Sequence, residues 1–215
     1  MKKQLLVAVL LTLVLLLSRW PGLMPYGFSA VYGFCFCAGV YLPLKLCWGI
    51  FLPALFCSDI ALNLYYGADP LGWYMLPNYL AYGAIVWIGS RLFSPRSSFI
   101  GLLSGGLLGA VLFYLITNTF CFFENPLYAK TLQGWIQALT TGVPGFPPTW
   151  TFFRHGLTSA GLFTALFAAT MKAAEKFAPV ADEAEEEQSE EEDSEEKEPE
   201  KASANSGKAS SAKSI

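Results

Sequence analysis

Apolar residues in this chain come in long unbroken runs, separated by short breaks where charge, proline or glycine gathers. A helix needs about 20 mostly apolar residues to cross the hydrocarbon core of a bilayer. Six segments meet or approach that length: residues 4–18, 28–43, 46–66, 73–93, 99–123 and 150–171. The pattern predicts an all-α protein, a polytopic transmembrane bundle of about six helices over residues 1–171. A disordered tail is expected over residues 172–215.

The breaks carry their own information. Residues 4–18 are preceded by Lys2-Lys3 and followed by Arg19-Trp20-Pro21-Gly22. A secretory signal peptide begins in the same way, but Ser18-Arg19-Trp20 is not a small-x-small cleavage site, so a retained first span is expected. Cleavage would leave five spans. Pro43-Leu44-Lys45 turns the second span into the third, where Pro53 marks a kink point. Gly67-Ala68-Asp69-Pro70 ends the third, and Ser94-Pro95-Arg96 ends the fourth, which carries Pro77 and Asn78 near its start. Residues 124–149 form a long loop with an amphipathic helix expected over 129–141 and a rigid Pro-Gly-Phe-Pro-Pro segment after it.

Composition sharpens the division. The 215 residues are 53% hydrophobic and 14% charged, and the formal charge of −3 conceals two unlike parts. Residues 1–171 hold three acidic side chains (Asp59, Asp69, Glu124) against eight basic ones, a net of +5, whereas residues 172–215 carry a net of −8. The tail has almost nothing to bury against its ordering entropy, which predicts disorder. It reads either as a solvated extension or as an arm for basic partners and divalent cations.

Basic residues flanking spans are retained on the cytoplasmic side. With the N-terminus inside, Lys2, Lys3, Lys45, Arg91, Arg96, Lys172 and Lys176 are cytoplasmic, while Arg19, Lys130 and Arg154 are outside. Seven against three places both termini in the cytoplasm, consistent with an even number of spans.

Polar groups within apolar spans need compensation, so they point to function or to helix locking. Asp59 lies in the outer half of the third span, with Asn63 one turn further on the same face. Tyr114, Thr117, Asn118 and Cys121 occupy the outer end of the fifth, and Arg154 and the single histidine, His155, open the sixth. Their common depth predicts an outward-facing polar pocket built from Asp59, Asn63, Thr117, Asn118, Arg154 and His155. In it, Asp59 would pair with Arg154 or with a cationic ligand. The alternatives are interhelical packing bonds, each stabilising by about 1 kcal/mol or less, and an ion or proton relay. Gly101, Gly105 and Gly109 form a smooth face on the fifth span for close packing, within the bundle or against a partner subunit.

Catalysis has little support: no HExxH, no GxSxG, no phosphate-binding glycine loop and no acidic pair spaced for a metal stands in the apolar region. The five cysteines, Cys35, Cys37, Cys47, Cys57 and Cys121, fall in apolar runs and read as small hydrophobes. No enzyme activity, metal, cofactor or nucleic-acid partner is expected. The bilayer is the expected environment.

Several motifs add a resemblance: Pro25-Tyr26-Gly27-Phe28-Ser29-Ala30, Phe36-Cys37-Ala38-Gly39-Val40-Tyr41, Ser58-Asp59, Thr117-Asn118, Tyr128-x-Lys130-Thr131-x-x-Gly134 and Phe152-Phe153-Arg154. Over residues 20 to about 170 the chain resembles a bacterial family of small multi-spanning membrane proteins of unknown function. It departs from that family's pattern at His155, where Asn is common, and at Ala160, near which an acidic residue is common. More distantly it is similar to the substrate-binding subunits of energy-coupling factor transporters. That likeness implies a six-helix subunit with both termini inside, which captures a vitamin or metal ion from the outer face and docks other membrane transporter subunits. The rival expectation is a structural or assembly protein with no small-molecule ligand.

Overall fold

The computed structural model describes residues 2–24 and 28–174, with the backbone alone at 2–4. The acidic tail from residue 175 onward and the Pro25-Tyr26-Gly27 motif lie outside the described residues. The described residues form helices without strands: α1 Lys2–Ser18, α2 Val31–Tyr41, α3 Leu44–Tyr65, α4 Met75–Leu92, α5 Phe99–Glu124, α6 Leu132–Leu139 and α7 Thr149–Ala174. The packing below belongs to the compact unit Met1–Ala169, and residues 170–174 continue α7.

Among the described residues three helices, α3, α5 and α7, are long and apolar enough to cross a membrane. The outward surface of α1 shows the same adaptation. Ala8, Leu11 and Leu15 recur at helical spacing and are fully buried, yet Leu6, Leu10, Leu13 and Leu17 on the other faces are exposed. A helix facing water would carry polar residues there; one that is apolar all round suits a lipid surrounding.

Helix α2 differs from the expected second span. Its 11 residues rise only about 16 Å, roughly half of the ~30 Å hydrocarbon thickness. Nine of the 11 are buried, so α2 is a core element enclosed by its neighbours. Glycines make this possible. A Cβ on Gly39 would stand 2.2 Å from the Val86 carbonyl oxygen, and one on Gly89 would stand 2.6 Å from that of Phe36, so the α2 and α4 backbones are in direct contact. The Phe36 ring lies on Gly105, Ile85 on Gly109, and Thr164 is wedged between Gly33 and Gly106. The glycine face of α5 is therefore covered inside the bundle by α2, α4 and α7. Gly101 lies apart from it, since an added Cβ there meets only Ser98 Oγ, the N-cap of its own helix.

Thr164 is fully buried, and its hydroxyl has no hydrogen-bond partner among the described residues. An unmade bond of this kind costs about 1–3 kcal/mol, and valine has nearly the same shape. Thr164→Val is expected to leave thermal unfolding unchanged or to raise its midpoint in detergent; a fall would show that the hydroxyl has a partner.

Local chemistry explains the remaining departures. After its first residues, Leu44–Leu46, helix α3 contains one wide turn, Cys47–Phe51, in which the Leu52 N–H bonds the Cys47 carbonyl five residues back. Pro53 has no N–H to give to residue 49, so the turn widens where a regular helix would lose a bond. Pro77 falls in the first turn of α4, where a missing N–H costs nothing. Helix α6 is shorter than the amphipathic stretch expected at 129–141. Thr131 is extended (φ −129°, ψ 166°) and its side chain caps the Gly134 N–H, which fixes the start. Gly134 is required there, because a Cβ would stand 1.9 Å from the Ala129 carbonyl oxygen.

Candidate functional site

The sequence-predicted polar residues gather at one end of the bundle, where α1, α3 and α5 finish and α2, α4 and α7 begin. Asp59 with Asn63 and Thr117 with Asn118 fall into two separate groups there, and Arg154 and His155 belong to neither.

The first group lies between α1, α3 and α4. Arg19, the residue just after α1, forms an ion pair through Nη2 with Asp59 Oδ1, and the Tyr79 hydroxyl donates to Asp59 Oδ2 at 2.5 Å. Both charged side chains are largely buried, at 14% and 16% exposure. The Tyr79 ring is held edge-on between Phe56 and Tyr82, which fixes its hydroxyl on the carboxylate. Asn63 lies one turn beyond Asp59, where its amide donates to Met75 Sδ at 3.7 Å. Asp59 is thus paired with Arg19, and the expected pairing with Arg154 is corrected: Arg154 is exposed and places its guanidinium 5.3 Å from the centre of the Trp150 ring. Neither Arg19 nor Tyr79 stood among the predicted site residues. Arg19 was legible only as a span-flanking charge, because nothing in the sequence shows that α1 and α3 lie side by side.

The second group surrounds a cavity of about 230 Å³ between α2, α5 and α7. Tyr32, Phe113, Tyr114, Phe152 and Phe153 form its walls, and Thr117, Asn118 and Thr149 contribute its polar atoms. Of the six predicted binding residues only Thr117 and Asn118 line it. Asp59, Asn63, Arg154 and the half-buried His155 do not. Helix periodicity places Tyr114, Thr117 and Asn118 together, since positions three and four apart share a face. The Thr117 hydroxyl donates to the Phe113 carbonyl at 2.9 Å and the Asn118 amide to the Tyr114 carbonyl at 2.8 Å. The Tyr114 hydroxyl reaches over to the Leu139 carbonyl and ties the end of α6 to the cavity rim.

A chain of ring contacts joins the two groups. Tyr79 meets Tyr82 at 5.4 Å, Tyr82 lies nearly parallel to Phe113 at 5.3 Å, and Phe113 meets Tyr32 at 4.6 Å. The carboxylate lock and the cavity therefore share one aromatic wall. Among the described residues no three His, Cys, Asp or Glu side chains come together as a metal site would require.

An all-helical bundle with lipid-compatible outer faces and a small aromatic cavity near one end defines the class: a helical protein compatible with a membrane. The chain belongs to DUF6580, a family of unknown function, whose family model matches residues 1–181. No curated protein and no solved structure matches it.

Proposed function

We propose that the protein is a membrane-embedded binding subunit for a small organic solute, held in the cavity between α2, α5 and α7. The observation that carries this reading is the lining itself: five aromatic rings around a few convergent polar atoms, the usual composition of a ligand site. With both termini in the cytoplasm, the cavity lies towards the outer face, as the uptake role implied by the distant likeness to transporter binding subunits requires. Binding, with no chemical step, accounts for a lining without charged or nucleophilic side chains other than hydroxyls.

The rival structural reading applies well to the first group. Arg19 and Asp59 neutralise one another, so Asp59 is better read as a lock between helices than as a ligand for a cation.

Gly156 supplies the test. A Cβ there meets nothing nearer than the Tyr32 ring at 3.6 Å, an ordinary contact, so a larger side chain would extend into the cavity. Protein purified in nanodiscs is expected to carry or take up a small molecule detectable by native mass spectrometry. Gly156→Val is expected to lose it while keeping the unfolding midpoint within a few degrees. Equal ligand retention by the variant, or no ligand across a broad metabolite panel, would remove the cavity from consideration. Topology is checked separately: a reporter fused after Met171 is expected to read as cytoplasmic, and a periplasmic signal would reverse the assigned orientation.

A further inference from the structure

We propose that the cavity selects a small, planar, uncharged solute that presents an N–H donor at its edge, such as a cyclic imide or an aromatic carboxamide. This rests on the binding function proposed above and narrows it to a chemical class.

Size sets the first limit. At about 230 Å³, the cavity falls below the ~300–1,000 Å³ typical of sites for larger ligands. A planar ligand of one or two rings with small substituents fills such a space at ordinary packing density; a larger one does not fit. Charge sets the second. No ionisable acid or base other than the two tyrosine hydroxyls lines the space, and the ion pair beyond the aromatic wall is already neutralised. A charged ligand would lose its water shell with no opposite charge to replace it, at a cost of several kcal/mol.

The polar atoms set the third limit. The Asn118 amide nitrogen is committed to the Tyr114 carbonyl, so its Oδ1 can only accept a bond and has no partner among the described residues. This orientation is forced, because two oxygens cannot bond one another. The hydroxyls of Tyr32 and Thr149 also have no hydrogen-bond partner among the described residues, and each can give or take a proton. The site thus offers one obligate acceptor and two adaptable groups, which matches an N–H with one carbonyl oxygen beside it, as in a carboxamide, or two, as in an imide. A flat ring is held on its faces by two tilted ring pairs, Tyr32 with Phe113 at 4.6 Å and Tyr114 with Phe153 at 4.7 Å.

The test uses the full chain in nanodiscs and saturation-transfer NMR, with paired probes of nearly equal shape: uracil against 1,3-dimethyluracil, and nicotinamide against nicotinate and 1-methylnicotinamide. Uracil or nicotinamide is expected to bind at least tenfold more tightly than its methylated or charged counterpart. Asn118→Leu and the milder Tyr32→Phe are each expected to weaken that binding about tenfold, with Tyr32→Phe guarding against a folding defect in the first variant. If nicotinate, 1-methylnicotinamide or dimethyluracil binds as well as its partner, the class is wrong although the cavity still binds a solute. If the neutral probes bind but neither variant changes the affinity, the assigned polar atoms are wrong. If no probe of any class binds, the class is overturned; the mass-spectrometric result with Gly156→Val then decides separately whether the cavity binds anything.

Discussion

Gly39→Val is expected to prevent assembly of the bundle. Even a single Cβ at this position would lie 2.2 Å from a backbone oxygen of α4, with Ser90 N at 3.1 Å. Overpacking against side chains costs about 1–3 kcal/mol because rotamers can adjust, but here the obstruction is main chain on both sides. Relief requires α2 and α4 to separate, and that would pull Phe36 and Ile85, both fully buried, out of contact with the glycines of α5. A loss above about 3 kcal/mol follows, comparable with a large part of the stability of a domain. The measurement is the folded fraction by fluorescence-detected size exclusion, followed by thermal unfolding of what is recovered. Gly83→Ala is the control: its Cβ meets only Trp48 at 3.6 Å, and alanine favours the helix by about 1 kcal/mol. Wild-type behaviour of Gly39→Val would mean that α2 and α4 are not in backbone contact.

The ion pair gives the second large effect, and the two single variants are expected to differ. Arg19→Leu leaves the Asp59 carboxylate with Tyr79 alone, well inside α3, and breaking a buried pair in this way costs about 3–5 kcal/mol. Asp59→Leu leaves Arg19 at the end of α1 beside Trp20 and two cavities that it lines, from which its long side chain can turn towards the surface. That variant is expected to lose less. Tyr79→Phe removes one bond to a charged group, worth about 1.5–3 kcal/mol. The double variant Arg19→Leu/Asp59→Leu is expected to recover most of the loss, because a buried pair replaced by apolar groups is often close to neutral. Unfolding free energies of the wild type, Arg19→Leu, Asp59→Leu and the double variant form a double-mutant cycle. Strictly additive losses would show that the two residues do not interact.

These expectations also mark how far the sequence reached. The run lengths alone placed α1, α3, α4, α5 and α7 within a few residues, because a helix closes its backbone bonds within itself and its apolar length is written locally in the sequence. The short α2 was overestimated as a span, since its flanks at residues 28–30 and 42–43 are as apolar as its core and hydropathy does not distinguish lipid from a protein interior. Tyr114, Thr117 and Asn118 were legible as a group because a helix brings such spacings to one face. Phe153 stood out only as part of the Phe152-Phe153-Arg154 motif, and Tyr32, which also completes the cavity, had no comparable signal, as aromatic residues are abundant throughout the chain.

The sequence by itself determined the element type, the approximate ends of most helices, the contrast between apolar bundle and acidic tail, and the rarity of charge inside the spans. Each follows from short-range rules: helix hydrogen bonds, proline's missing N–H and the cost of an ion in hydrocarbon. Only the tertiary structure decided that Asp59 meets Arg19, 40 residues away, that the glycines of α5 are covered by the protein's own helices, and that the polar residues divide between a lock and a cavity. Partners across a bundle depend on which helices are neighbours and how each is rotated, and periodicity constrains neither.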